Sequence, residues 1–258
     1  MTRTMTRTWL ERILPALSVI GFLVAWQIFV DVRHIPSIYL PSPLAVAKAL
    51  VVMAKDGSLV ANLSMTLLRI FSGFLIAALS GIVVGLLMGM SRLFERVVDP
   101  WIAALYPLPK ISLIPLLVIW LGTGESYKII ISAITAFFPI AMSTYAGVRQ
   151  VDSGLIKAAK DLGASWSQVQ LHVVLPASIP SIFSGLQLGM GVAIILVVAA
   201  EMIGSSGEGG MGYLLINAGQ VLDTERVFAS LVVLTIMGAC IIKGQQWLER
   251  KLAPWATL

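Results

Sequence analysis

Long apolar segments alternate with short polar connections along almost the whole chain. Six such segments lie at residues 13–30, 67–90, 100–121, 127–148, 179–203 and 227–247. Each is close to the roughly 20 residues that an α-helix needs to cross a hydrocarbon core of about 30 Å. The pattern predicts an all-α integral membrane protein with six transmembrane helices.

The third apolar segment has an unusual density of prolines. Pro107, Pro109 and Pro115 lie around Lys110, and a proline inside a helix removes a backbone donor and kinks or ends the helix. Broken backbone at membrane depth is tolerated where it packs against protein or lines a water-filled path. We expect this segment to start at residues 99–100, to break at its prolines and to face the interior of the helix bundle.

Composition and charge agree with the apolar pattern. Of the 258 residues, 58% are hydrophobic and 12% are charged, whereas about 25% of residues are charged in soluble domains. We expect a single domain over 1–258, with a core at about 63–247 and an additional N-terminal span at about 13–30. Basic residues concentrate in alternate connections, which places both termini in the cytoplasm. This assignment puts Arg69 and Lys128 outside, at segment edges.

The connection at residues 150–177 is the longest and most polar one on the predicted cytoplasmic side. Ser153 to Leu162 has helical propensity and is followed by Gly163, a common terminator of helices. Ser165 and Gln168 have the spacing of a capping box at the start of a second helix. The sequence therefore predicts two short helices joined at a glycine, which a simple connection would not need.

The same connection carries a recognisable signature. Ala158-Ala159, Gly163 and Val173-Val174-Leu175-Pro176 have the spacing of E-A-A-x3-G-x9-I-x-L-P, with Lys157 at the glutamate position. In these features the chain resembles the permease subunits of binding-protein-dependent ABC importers, which implies the type I importer (MetI-like) fold. The resemblance implies an ATPase-coupling loop that contains Lys157, Ala158, Ala159, Asp161, Gly163, Ala164, Leu175 and Pro176.

Three further segments are similar to the taurine, aliphatic-sulfonate and nitrate branch of these permeases. They are PSP at residue 41, PLPKISLIPLLVIWLGTGE at 107–125 and AAEMIGSSGEGGMGYLL at 199–215. This resemblance implies a path through the bacterial inner membrane for a small anionic solute, delivered by an external binding protein. Permeases for riboflavin or thiamine precursors remain an alternative, and an ion-coupled carrier or channel is a more distant one.

The resemblance also implies a set of partners. Two copies of an ATPase subunit would bind ATP and Mg²⁺, and a second permease, forming a homodimer, would complete the path. The chain itself would hold no cofactor or metal and would not be an enzyme. Its GTGESYK at 122–128 lacks the spacing of a phosphate-binding P-loop. His34 and His172, the two histidines, fall on opposite predicted faces, which disfavours a metal-dependent or intramembrane hydrolase.

Among the ionisable residues within the apolar segments, Lys110 and Glu201 are the candidates for a role in the translocation path. An intramembrane charge is by default a candidate for function. Lys110 could attract an anionic solute, form an internal ion pair with Glu201, or bond backbone carbonyls that the prolines leave free. Glu201 would repel an anion, so a structural or gating role suits it better.

Overall fold

The computed structural model describes residues 2–203 and 209–253, with side chains from Ile13 onward. Part of the 199–215 segment, residues 204–208, lies outside the described residues. In the described part of the chain, all regular structure is helical. The α-helices are α1 (Thr2–Val32), α2 (Pro43–Lys55), α3 (Ser58–Met90), α4 (Arg92–Leu105), α5 (Ile114–Leu121), α6 (Glu125–Arg149), α7 (Ser153–Asp161), α8 (Trp166–Val169), α9 (Leu175–Ile203), α10 (Met211–Gln220) and α11 (Thr224–Leu252).

The described residues form five helices that are long and apolar enough to cross a membrane, or six if a bent pair counts as one span, in agreement with the six predicted. Five single stretches qualify: Ile13–Val32, Ser58–Met90, Glu125–Arg149, Trp166–Ile203 and Thr224–Leu252. The sixth is the pair formed by α4 and Lys110–Leu121, which is bent by 87° at the break between its halves. The all-α class is likewise confirmed. The break follows from Pro107 and Pro109, which cannot donate the backbone bonds of a continuous helix.

The start of the third span differs from the sequence prediction. α4 begins at Arg92, because the Ser91 hydroxyl accepts a hydrogen bond from the Phe94 N–H at 3.3 Å and caps the helix. Pro100 therefore lies inside α4 and not at its start. Pro100 is exposed, and as a proline it removes one backbone hydrogen bond from α4.

The broken span contacts the rest of the chain through a narrow face. Its buried apolar side chains are Ile102, Ile114 and Leu117. Large side chains on its other faces remain exposed, among them Trp101, Ile119 and Trp120. One face of the broken span thus packs against the rest of the described chain, while its other faces remain exposed.

The described chain divides into two compact units. The first comprises the chain up to Val60 together with Leu214–Val233. Within it, Val46, Ala49 and Met53 of α2 form a buried cluster with Ala229 of α11. Ser42 caps α2 by accepting the Ala45 N–H at 3.3 Å, and Pro43 occupies its first turn. α2 therefore starts at Pro43, because serine at the cap and proline in the first turn suit the start of a helix.

The second unit comprises Ala61–Tyr213 and the chain from Leu234 onward. Its central helix is α6, which packs against α3 on one side and α9 on another. Small residues allow the close approach: a Cβ added at Gly85 of α3 would lie 2.5 Å from the Ala141 carbonyl oxygen. The face of α3 formed by Ala77, Gly81, Gly85 and Gly89, small residues at four-residue spacing, thus packs inside the chain against α6.

Candidate functional site

The connection after α6 folds as the sequence predicts. α7 ends at Asp161, and Gly163 adopts a left-handed conformation with φ +87°. The Gly163 N–H donates to the Lys160 carbonyl at 2.8 Å, and the Ala164 N–H donates to the Ala159 carbonyl at 3.0 Å. This pair of bonds is a Schellman motif, which satisfies carbonyls at the helix end. Glycine is favoured at this position because a Cβ would be strained at positive φ.

The second predicted helix also forms. In the capping box, the Gln168 N–H donates to the Ser165 hydroxyl at 3.4 Å and the Ser165 N–H donates to the Gln168 side-chain oxygen at 2.8 Å. A π-helical turn, Gln170–Val174, then leads into α9, with Pro176 as the second residue of that helix. The knob, defined here as residues 150–177, therefore consists of α7, a turn at 162–165, and a second helical stretch that runs from α8 into the start of α9.

The knob has a packed side and an open side. Ala159 and Ala164 pack against Val148, Val169 and Val174, which are buried. The remaining predicted coupling residues divide between the two sides. Leu175 and Pro176 are half-buried, whereas Lys157, Ala158, Asp161 and Gly163 are exposed.

Four large apolar side chains of the knob are exposed, among them Leu171 at 60%. Leu162 is 90% exposed, Trp166 is 61% exposed and Leu155 is 55% exposed. Leaving leucine and tryptophan side chains exposed to water is unfavourable. Covering them would gain roughly 25 cal/mol for each Å² of apolar surface buried. A concentrated apolar surface of this kind is typical of an interaction site.

Lys110 lies at the break of the third span. Its ammonium group donates to the Tyr106 carbonyl, and it lies 4.6 Å from the Phe138 ring centroid and 5.2 Å from that of Tyr106. In the described part of the chain it has no carboxylate within 4.0 Å. The ammonium therefore satisfies a carbonyl at the end of α4 and is held by two aromatic faces.

Glu201 has a different partner from the one considered in the sequence. Its side chain is fully buried, and Oε1 accepts from Arg69 Nη1 at 2.6 Å. The Thr66 hydroxyl and the Gly212 N–H donate to the same carboxylate at 2.8 to 3.0 Å. The possible Lys110–Glu201 ion pair is thus corrected to Arg69–Glu201. The Glu201 carboxylate is thus fully buried and surrounded by donors from three parts of the chain.

The guanidinium of Arg69 joins a second carboxylate as well. Its Nε and Nη2 atoms donate to the two oxygens of Glu125 at 2.6 and 2.5 Å, a bidentate arrangement. Lys128 Nζ lies 3.7 Å from Glu125 Oε1. Arg69 and Lys128 are fully buried, whereas the Glu125 side chain is 46% exposed. The cluster thus opens to the surface at Glu125.

The buried charges also hold the chain that leads into α10. The Arg69 guanidinium donates to the Gly209 carbonyl at 2.9 Å, and the Met211 N–H donates to the Thr66 hydroxyl at 2.8 Å. A Cβ at Gly210, which has φ +114°, would lie 2.4 Å from both Arg69 Nη1 and Glu201 Cδ. Glycine at 210 is required because the backbone runs directly over the ion pair.

Sequence reasoning missed most of this cluster. It treated Arg69 and Lys128 as charges at the outer membrane edge, but the structure buries both. The available signal was the position of Arg69 inside a long apolar run together with Glu201 inside another, because buried charges require partners. The described residues contain no group of three or more His, Cys, Asp or Glu suited to a metal ion.

Comparison with known proteins identifies the protein family of the chain. Residues 81–254 match the family described as the binding-protein-dependent transport system inner membrane component. The chain belongs to this family. It is the permease subunit of an ABC importer, and it acts with an ATPase and other components of that transporter. The matched residues include the whole knob and the residues Glu125, Lys128 and Glu201.

Two relatives of the permease are similar over most of its length. The taurine transport system permease protein TauC of Escherichia coli K12 is 37% identical over 238 residues, covering 90% of this chain and 86% of that protein. The putative aliphatic sulfonates transport permease protein SsuC of Bacillus subtilis 168 is 32% identical over 247 residues, covering 96% of this chain and 88% of that protein.

Solved structures support the fold of the permease. A chain from an inward-facing MetNI methionine ABC transporter has a TM-score of 0.64 and 23% identity, covering 80% of the permease and 99% of that chain. A chain from an amino acid ABC transporter has a TM-score of 0.61 and 20% identity, covering 80% and 97% respectively. The predicted MetI-like importer fold is thereby confirmed.

Proposed function

We propose that this permease forms the membrane path of an importer for small sulfonates such as taurine. The knob supports the part of this proposal that concerns coupling to an ATPase subunit. Leu162, Trp166 and Leu155 form an open apolar surface on a rigid, doubly capped element. A groove on the ATPase subunit that covers these side chains would transmit its movements to α6 and α9, which the knob joins.

The similar permeases support the part of the proposal that concerns the transported substrate. The permeases named for taurine and aliphatic sulfonates are similar over most of this chain, which favours a sulfonate over a vitamin precursor. A sulfonate is a compact anion, and Lys110 is an ammonium group without a carboxylate partner in the described part of the chain. Lys110 would therefore provide a favourable charge for the anion at the bend of the third span.

The assembly that follows is a pair of permease chains, two ATPase subunits and an external binding protein. The ATPase would bind ATP and Mg²⁺, and the permease would hold no cofactor. With the knob on the ATPase side, the alternation of spans places both termini in the cytoplasm. Movement of the two knobs would then open the path alternately to the two sides of the membrane.

The deciding experiment measures ATP hydrolysis by the complete transporter in liposomes. With the binding protein present, taurine or an alkanesulfonate should stimulate hydrolysis, and riboflavin should not. Leu162→Glu should abolish both the stimulation and co-purification of the ATPase. Val221→Glu is the matched control, since Val221 is also an exposed apolar residue but lies outside the knob. Retained ATPase binding by Leu162→Glu, or stimulation by riboflavin alone, would contradict the proposal.

A further inference from the structure

A polar cavity of about 450 Å³ lies between the start of α4 and the end of α6. Its lining residues are Arg92, Glu95, Arg96, Asp99, Pro100 and Arg149. The three arginines outnumber the two carboxylates, so the cavity has a net positive charge. Arg149 is the last residue of α6, and the knob helix α7 begins at Ser153. The cavity is therefore at the base of the knob.

The three arginines of this cavity form no close ion pair with its two carboxylates. In the part of the chain that the structure describes, none of them has a carboxylate oxygen within 4.0 Å. Arg92 and Arg96 are four residues apart on one helix face, where like charges repel. Glu95 is engaged elsewhere, since it accepts a hydrogen bond from the Tyr145 hydroxyl. Guanidinium groups bind phosphate oxygens in bidentate geometry, so the cavity suits a phosphate group.

An apolar stripe on α4 runs beside the arginines. Leu93, Val97 and Trp101 follow one another at four-residue spacing and are 76%, 59% and 69% exposed. A helix with a charged face and an apolar face is suited to the boundary between headgroups and acyl chains. A free phosphate would make no use of the stripe, whereas an amphiphile would contact both the stripe and the arginines.

We propose that this cavity binds the headgroup phosphate of an anionic phospholipid. The phosphate lies among Arg92, Arg96 and Arg149, and an acyl chain lies along Leu93, Val97 and Trp101. Basic pockets beside transmembrane helices recognise headgroups in this way. The bound lipid ties the start of α4 to the end of α6 and so stabilises the base of the knob. The site does not depend on the nature of the transported solute.

Lipid binding to the purified full-length permease in detergent tests the proposal. Native mass spectrometry measures the affinity for phosphatidylglycerol, for phosphatidylcholine and, in competition, for glycerol 3-phosphate. Phosphatidylglycerol should bind more tightly than phosphatidylcholine. Arg92→Gln/Arg96→Gln should bind phosphatidylglycerol roughly 25-fold more weakly, because each basic residue near the surface contributes roughly fivefold. Trp101→Ala should weaken it as well, through loss of the acyl-chain contact.

Two further variants keep this test independent of folding. Arg92→Lys/Arg96→Lys conserves the charge and should retain most of the affinity. Arg250→Gln/Lys251→Gln removes the same charge from two exposed residues at the end of α11 and should bind like the wild type.

Several results would overturn the lipid site. They are equal affinity of all variants, equal binding of phosphatidylcholine, and displacement of phosphatidylglycerol by glycerol 3-phosphate at a similar concentration. If Arg92→Gln/Arg96→Gln instead dissociates permease dimers and leaves lipid binding unchanged, the cavity is a contact between two copies of the chain.

Discussion

At the scale of single residues, Arg69 is a fully buried charge that depends on several hydrogen-bond partners. It is fully buried, and it donates to Glu201, to Glu125 and to the Gly209 carbonyl. Burial of an ion in an apolar interior costs several kcal/mol unless its partners are well placed. Arg69 therefore connects three helices and the chain before α10, and its loss leaves Glu201 as an uncompensated buried charge.

Arg69→Met should lower the stability of the permease strongly. Breaking a buried pair by removing one partner typically costs about 3–5 kcal/mol. Arg226→Met is the matched control, because Arg226 pairs with Asp223 at 3.3 Å on the surface and such pairs contribute about 0–1 kcal/mol. Thermal unfolding of both variants in detergent measures the difference. Similar losses in the two variants would mean that burial of Arg69 contributes little.

Lys110 allows a second prediction at the same scale. Lys110→Ala should reduce sulfonate uptake at unchanged permease abundance, since the variant removes the charge offered to the anion. Lys110→Arg should retain more uptake because it keeps that charge. Uptake of labelled taurine and immunoblotting of the membrane fraction measure the two quantities. If uptake and abundance fall in parallel in both variants, the role of Lys110 is structural, at the end of α4, and not in attracting the anion.

At the scale of elements, α6 determines how the second unit packs. Glycines on α3 and α9 bring those helices so close to α6 that a methyl group would meet backbone atoms. Lipid is as apolar as the side chains that pack in it, so close contact and polar pairing, more than exclusion of water, hold such helices together. The small residues are thus required by the packing itself.

Gly85→Ala should reduce stability by roughly 1–3 kcal/mol, the usual cost of overpacking. The added methyl would lie 2.5 Å from the Ala141 carbonyl oxygen, which belongs to backbone and cannot rotate away. Gly191→Ala in α9 is the control, because nothing lies within 4 Å of its added methyl. Thermal unfolding compares the two. An unchanged Gly85→Ala would show that α3 can move away from α6.

At the scale of the whole molecule, the permease is one component of a larger transporter. We propose that the open apolar side of the knob binds an ATPase subunit and that the arginine cavity beside it binds a phospholipid. The direction of transport depends on which side of the membrane the knob occupies. The alternation of spans makes this a single choice, because fixing one connection fixes every other.

Thiol labelling tests that choice. In a Cys240→Ser background, with the permease expressed alone in cells, Lys55→Cys should react with an impermeant maleimide applied from outside. Lys160→Cys, on the knob, should react only in inverted vesicles. Both side chains are exposed, so burial does not protect either one. Labelling of Lys160→Cys in intact cells would reverse the proposed orientation.

The apolar spans, the break in the third span and the local structure of the knob could all be predicted from the amino-acid sequence. These features depend on contacts within one or two helical turns: the Gly163 terminator, the Ser165–Gln168 capping box and the prolines around Lys110. Their physical causes are local backbone sterics and hydrogen bonds, so they are legible in short stretches of sequence. The family followed from the same short stretches.

Which buried charges form ion pairs is evident only from the tertiary structure. Arg69 and Glu201 are 132 positions apart, and no local rule selects Arg69 over Lys110 as the partner of Glu201. The pairing depends on how α3, α6 and α9 pack, and that packing depends on small residues such as Gly85 on several helices at once. The arginine cavity has the same origin, since Arg149 joins Arg92 and Arg96 only when α4 and α6 lie side by side.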